Sequence, residues 1–270
     1  MLAASRLEWA ADAIVHLVGI ALAAAACATL AIVALPDADG LHVASLSLYA
    51  SGLVAMLACS ALYNVLAGHR WNKAFKRLDH AAIFLMIAGT YTPFTLLVMG
   101  NATGIALCVF VWAVALSGAA VQIAAPARLR RFGVAAYLLL GWSGAATTGT
   151  LVKVMTTPGL VLLGAGGVLY SIGVIFYLSR RLVCHLAIWH GFVLAAAACH
   201  FSALMTDVVA AEPRRPAVVG AYEPMAAFTS ASASLEPHSA PPASVPISQP
   251  LPSMRREVGS PTSLPACWSV

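Results

Sequence analysis

Several polar residues stand where such groups are costly, inside long apolar runs: Asp12, His16, Ser60, Asn64, Asp79, His190 and His200. An ionisable side chain within a hydrophobic run marks a functional position by default. Asp12 and His16 are four apart, as are Ser60 and Asn64, so each pair shares one helix face. Imidazole and carboxylate are natural zinc ligands, and a bound zinc activates water. The same residues also suit a plainer role, a hydrogen-bonded knot that ties helices together. Asp79 and His80 are adjacent and point about 100° apart, which sets His80 at the interface. The sequence holds no GxSxG, HExxH or phosphate-binding glycine loop.

The elements that must position these groups are membrane helices. Of the 270 residues, 61% are hydrophobic and 9% charged. A soluble domain carries about 25% charged residues, so most of this chain faces lipid. The chain is expected to be an all-α membrane protein, a seven-transmembrane helix bundle over residues 1–208. A span needs roughly 20 apolar residues. Seven stretches qualify, at about 12–35, 43–67, 80–99, 102–124, 133–152, 158–178 and 185–208. The first is too long for a signal peptide and follows acidic Glu8 and Asp12. The +5 formal charge forms no nucleic-acid patch. Arg70, Lys73, Lys76 and Arg77 follow span two, Arg128, Arg130 and Arg131 follow span four, and Arg180 and Arg181 follow span six. The alternate loops hold Lys153, Asp37 and Asp39. The positive-inside rule therefore puts the N-terminus in the cytosol and the C-terminus outside. The expected location is the bacterial inner (plasma) membrane.

Depth then decides which polar groups can meet. Ser60 and Asn64 lie near the cytosolic end of span two, Asp79 opens span three, and His190 enters span seven from the same side. Asp12 and His16 sit at the cytosolic end of span one, so all share one layer. Asn64, Asp79 and His190 are expected to contact each other or one shared water. His200 lies about 15 Å deeper and stands apart.

Other features read as structural. Cys27, Cys59, Cys108 and Cys199 lie in apolar runs without metal spacing, and Cys267 lies near the C-terminus. The stripe Gly141, Ala145, Gly149 and the glycines Gly164, Gly166, Gly167 and Gly173 are expected to let helices approach closely. Pro93 removes a donor from span three and frees the Gly89 carbonyl, with Thr90 and Thr92 placed to compensate. Residues 209–270 are expected to be a disordered Pro/Ser/Ala-rich tail, since eleven of the fifteen prolines fall there.

Five segments resemble the hemolysin III family, which is related to the adiponectin and progestin receptors. They are Ser60-Ala61-Leu62-Tyr63-Asn64, Leu78-Asp79-His80-Ala81-Ala82-Ile83-Phe84, Ile87-Ala88-Gly89-Thr90-Tyr91-Thr92-Pro93-Phe94, and Ile188-Trp189-His190-Gly191-Phe192-Val193 followed by Cys199-His200-Phe201. The likeness covers about residues 8–206, in order. It implies a cytosolic-side zinc site with one His on span two, in Ser-x-x-x-His, and two on span seven, in His-x-x-x-His. It also implies an Asp at the start of span three and the span-two Ser beside a bound water. Ser60 and Asp79 match as catalytic candidates, and His190 and Asp79 as metal candidates. Asn64 stands at a lost ligand position, and Leu186 at another. His185 is one residue early, a shift of about 100° around a helix. His16 or His185 could substitute. Zinc binding is then expected to be weak or absent.

The expected function is a structural or sensory role around a degenerate zinc site. The alternatives are a metal-dependent intramembrane hydrolase of a lipid amide and, more weakly, a channel-forming cytolysin. The expected partners are the bilayer and a lipid substrate or ligand, with no nucleic acid.

Overall fold

The structure, a computed structural model, describes residues 2–36, 38–66, 69–129, 132–179 and 181–209. The expected tail at 210–270 lies outside them, as do the loop charges Asp37, Arg130, Arg131 and Arg180. Every element among the described residues is helical. They are α1 (Leu2–Thr29), α2 (Gly40–Val65), α3 (Asn72–Pro93), α4 (Ala102–Ala124), α5 (Gly133–Trp142), α6 (Thr148–Val154), α7 (Thr157–Leu178) and α8 (His185–Leu204). A single helical turn, Pro126–Leu129, joins α4 to α5.

Six of the helical segments are unbroken, long and apolar enough to cross a membrane: Arg6–Ala34, Gly40–Val65, Asn72–Met99, Ala102–Ala124, Thr157–Leu178 and His185–Val209. The expected fifth span, 133–152, is not among these six; its stretch is helical but broken. Helices α5 and α6 flank a 3₁₀ segment, Ser143–Thr147. The hydroxyl of Tyr91 on α3 explains how the break is tolerated. It donates to the Gly141 carbonyl at 2.6 Å and accepts from the Gly144 N–H at 2.7 Å. Local hydroxyls take further carbonyls: Ser143 bonds Leu140, Thr147 bonds Gly144 and Thr148 bonds Ala145. Irregular backbone in an apolar setting survives only when its polar groups are met in this way.

The helices form a closed circuit. Helix α1 packs on α2 and α8, α3 packs on α2, α4 and α5, and α7 packs on α8. Helix α3 is central: 72% of its most apolar window is buried, against 17% to 44% in the other five. Its one glycine helps to allow this. A Cβ on Gly89 would lie 2.9 Å from the Leu48 carbonyl oxygen of α2. The hydrophobic core divides into a cluster around Tyr49, Leu53 and Leu204 and a second around Phe84, Val111 and Leu140.

Two local expectations need correction. The Thr90 and Thr92 hydroxyls donate to the Met86 and Ala88 carbonyls, four residues back, and not to Gly89. Thr92 also accepts from the Trp112 indole at 3.0 Å, which ties α3 to α4. The chain absorbs Pro93 by widening into a π-helical segment, Phe94–Met99. Nor do all the glycines mediate packing. Gly166, Gly167 and Gly173 sit against His200, Trp142 and Phe192, but Gly141, Gly149 and Gly164 have open space where a Cβ would project. The break separates Gly141 on α5 from Gly149 on α6, so the two no longer share one helix face. At the far end of α8, buried Asp207 accepts from the Thr156 N–H at 2.7 Å and holds the N-terminus of α7, with Gly159 leaving room for its carboxylate.

Candidate metal centre

Four helices bring their polar residues to one end of the bundle. Helix α1 supplies Asp12 and His16, four apart and thus on one face, and both are buried. Helix α2 supplies Ser60 and Asn64, α3 supplies Asp79, and α8 supplies His190. The contact of α1 with α8 closes the circuit and sets Asp12 against His190. Their Oδ1 and Nδ1 atoms are 2.6 Å apart, the length of a charge-assisted hydrogen bond. The His16 and His190 rings meet edge to face, with centroids 4.5 Å apart.

The hydrogen bonds fix which nitrogen of His16 is free. Its Nδ1 lies 2.7 Å from the Asp12 backbone carbonyl, which can only accept. Nδ1 therefore carries the proton, and the Nε2 lone pair points into the cluster. Ser60 Oγ approaches that lone pair at 3.1 Å and the Asn64 amide nitrogen at 3.4 Å. Asn64 also donates to the Ser60 carbonyl at 3.0 Å. The Asp79 carboxyl lies beside the Ser60 hydroxyl. One donor atom from each of Asp12, His16 and His190 can be chosen so that all lie within 4.8 Å of one another.

Among the described residues Asn64, Asp79 and His190 make no direct hydrogen bond with one another: Asn64 reaches His16, His190 pairs with Asp12, and Asp79 lies beside Ser60. The hub is the Asp12–His16 pair. The sequence placed that pair in the right layer, yet only His16 stood among the candidate ligands. The signal for Asp12 was its four-residue spacing from His16 on a lipid-embedded helix. His80 stays beside the cluster: its Nδ1 donates to the Lys76 carbonyl and is 3.7 Å from Asp79 Oδ2. His200 lies apart, as its depth required, and donates to the Leu163 carbonyl at 3.2 Å.

An open cavity of about 190 Å³ leads from the surface to this group. Glu8, Asp12, His16, Asn64, Cys184 and His185 are among the residues in its wall. The turn into α8 shapes the mouth. Cys184 has φ 60°, the left-handed region, and is alone in this among the described non-glycine residues. Its N–H donates to Glu8 Oε1 at 3.2 Å, so α1 holds the strained turn in place. That turn sets His185 in the cavity wall, where its Nδ1 is buried without a hydrogen-bond partner among the described residues. Leu186 also lines the cavity, at a position the resemblance gives to a histidine.

The donors present fit zinc in number and type. At the positions the resemblance implies, only His190 remains, with Asn64 and Leu186 in place of imidazoles. Asp12 and His16 restore the count. Two imidazoles and a carboxylate are an accepted zinc set with one position left open, and the His16 tautomer turns its Nε2 lone pair, now met by Ser60 and Asn64, into the cluster.

Comparison with known proteins agrees with the fold. The family model described as Haemolysin-III related matches residues 10–201, a segment that contains every residue of the cluster. The chain is 33% identical over 194 residues to the Hemolysin-3 homolog of Bacillus subtilis (strain 168), covering 72% of this chain and 91% of that one. It is 34% identical over 202 residues to Hemolysin-3 of Bacillus cereus, covering 75% and 92%. The human Monocyte to macrophage differentiation factor is 28% identical over 167 residues, with 58% and 67% covered.

Proposed function

The chain belongs to the Haemolysin-III related family, and from that premise we propose that it is a membrane protein which holds a zinc-class cation at Asp12, His16 and His190. The observation that carries this is the convergence of three donors from two helices at opposite ends of the described chain. A cation there fastens α1 to α8 and closes the helix circuit. Its role is structural or sensory, because occupancy sets how firmly that seam is shut. The Asp12 carbonyl holds His16 from behind through Nδ1, while Ser60 and Asn64 meet Nε2 and give it up when a cation binds. Outer partners of this kind orient ligands and tune affinity. The loop charges favour the cytosolic side for this site, and the Bacillus relatives favour a bacterial plasma membrane.

Metal content of the purified full-length protein tests the proposal. One zinc per chain is expected, with loss of most of it in His190→Ala and Asp12→Ala. Zinc should also raise the melting temperature relative to chelator, since a ligand bound only by the folded state stabilises it. Protein that is metal-free after growth in zinc, and whose melting ignores added zinc, would leave the cluster a hydrogen-bonded lock and nothing more.

A second reading rests on one observation, the place of Ser60 between His16, which it hydrogen-bonds, and the Asp79 carboxyl beside it. Ser60 and Asp79 sit where the resemblance puts the groups around a reactive water. In that reading the chain hydrolyses a lipid amide, and zinc supplies the Lewis acid. Ser60→Ala and Asp79→Asn would then abolish turnover of lipid amides while zinc content stays unchanged.

A further inference from the structure

The donors in the cavity wall do not end at the cluster. Lining the same open cavity as Asp12 and His16 are a carboxylate, a thiol and an imidazole: Glu8, Cys184 and His185. None of the three joins the Asp12–His16–His190 group, whose members alone lie close enough together among the described residues to hold one ion. Their arrangement therefore suits brief contact and not residence. His185 carries the sharpest sign. Its Nδ1 is buried and unpartnered, and a buried polar atom left without a partner is costly. Glu8 spends one oxygen on the Cys184 N–H, but a carboxylate has about four lone-pair sites, so capacity remains.

We propose that this cavity is the port through which the cation reaches its site, with His185 and Glu8 as its first partners and Cys184 beside them. The inference rests on the metal-holding function proposed above. The mixture of nitrogen, oxygen and sulfur donors selects zinc-class ions over magnesium or calcium, which prefer oxygen alone. The port opens at the end of the bundle where α2 leads into the loop carrying Arg70 and Lys73. That loop is basic and repels cations at long range, so acidic and imidazole groups at the mouth have a task that the bulk surface does not perform.

A port residue changes the path and leaves the end states alone. His185→Ala and Glu8→Gln should slow zinc loading and chelator-driven release together, each by about tenfold. Stoichiometry and Kd should stay at the wild-type values. The readout is stopped-flow fluorescence of a zinc chelator mixed with full-length protein in detergent. Ala13→Leu supplies an independent arm, because Ala13 lines the cavity without offering a donor. Filling the passage there should slow both directions as well. Unchanged rates in all three variants would overturn the port. A weaker Kd in His185→Ala with unchanged rates of loading would make His185 a resident ligand and overturn it differently. Wild-type protein that binds no zinc would instead remove the underlying function, which the equilibrium titration reveals before any rate is measured.

Discussion

Asn64 shows how much one side chain decides here. Its amide nitrogen lies 3.4 Å from His16 Nε2, at the edge of hydrogen bonding. A histidine at this position would bring a third imidazole to the cluster and fill the position that Asp12, His16 and His190 leave open. Asn64→His should therefore bind zinc more tightly than wild type by about tenfold or more, about 1.4 kcal/mol. Competition titration against a chelator of known affinity measures this. An unchanged Kd with intact fold would show that the Asn64 side chain does not face the bound ion.

Among the elements, the broken fifth span depends most on a neighbour. The Tyr91 hydroxyl meets a carbonyl and an N–H exposed by the 3₁₀ segment, and Ser143 approaches it at 3.3 Å. Tyr91→Phe leaves those groups without their partner at a cost of about 1–3 kcal/mol. The expected result is a lower melting temperature in detergent and faster hydrogen exchange at 141–148, with exchange in α2 unchanged. Helix α2 offers a contrast, because its start is fixed locally. Asp39 accepts from the His42 N–H at 2.8 Å as the N-cap. Asp39→Ala should cost about 1 kcal/mol. That backbone hydrogen bond, then the side-chain bond to His42, holds the Asp39 carboxyl below its ordinary pKa. A lowered pKa in the folded state means the stabilisation is complete above the unfolded value and is lost as pH falls through the folded one. The gap between wild type and Asp39→Ala in denaturation experiments should thus be constant at neutral pH and shrink under acid. A gap that is the same at pH 3 and pH 7 would show that the charge does not contribute.

For the whole molecule, orientation follows from loop charge and an odd number of spans. The broken segment Gly133–Val154 must count as a span for the basic loops to fall on one side. Its ten, five and seven residues reach about 33 Å at 1.5 Å per residue, enough for a hydrocarbon core of about 30 Å. A topology reporter inserted after Asn72 should therefore read inside and one fused after Ala211 outside. Both reporters on one side would mean that α5 and α6 do not cross. The port and the metal group would then need a different side from the one assigned.

The amino-acid sequence by itself determined the solvent of this protein, the positions of its helices and the layer in which its polar groups lie. Those properties follow from local quantities: apolar run length, the placement of Arg and Lys, and a rise of about 1.5 Å per residue. The Leu-Asp-His and Ala-Gly-Thr-Tyr-Thr-Pro-Phe segments also marked the family. What the sequence could not determine was which helices touch. Depth places Asp12, Asp79 and His190 at one level, but a level is a ring with many neighbours. Only the closure of α1 onto α8 decided that Asp12 pairs with His190. Likewise, the break at Ser143–Thr147 has no proline to announce it. It exists because a tyrosine from another helix meets its backbone groups, and such a partner is visible only once the chain has folded.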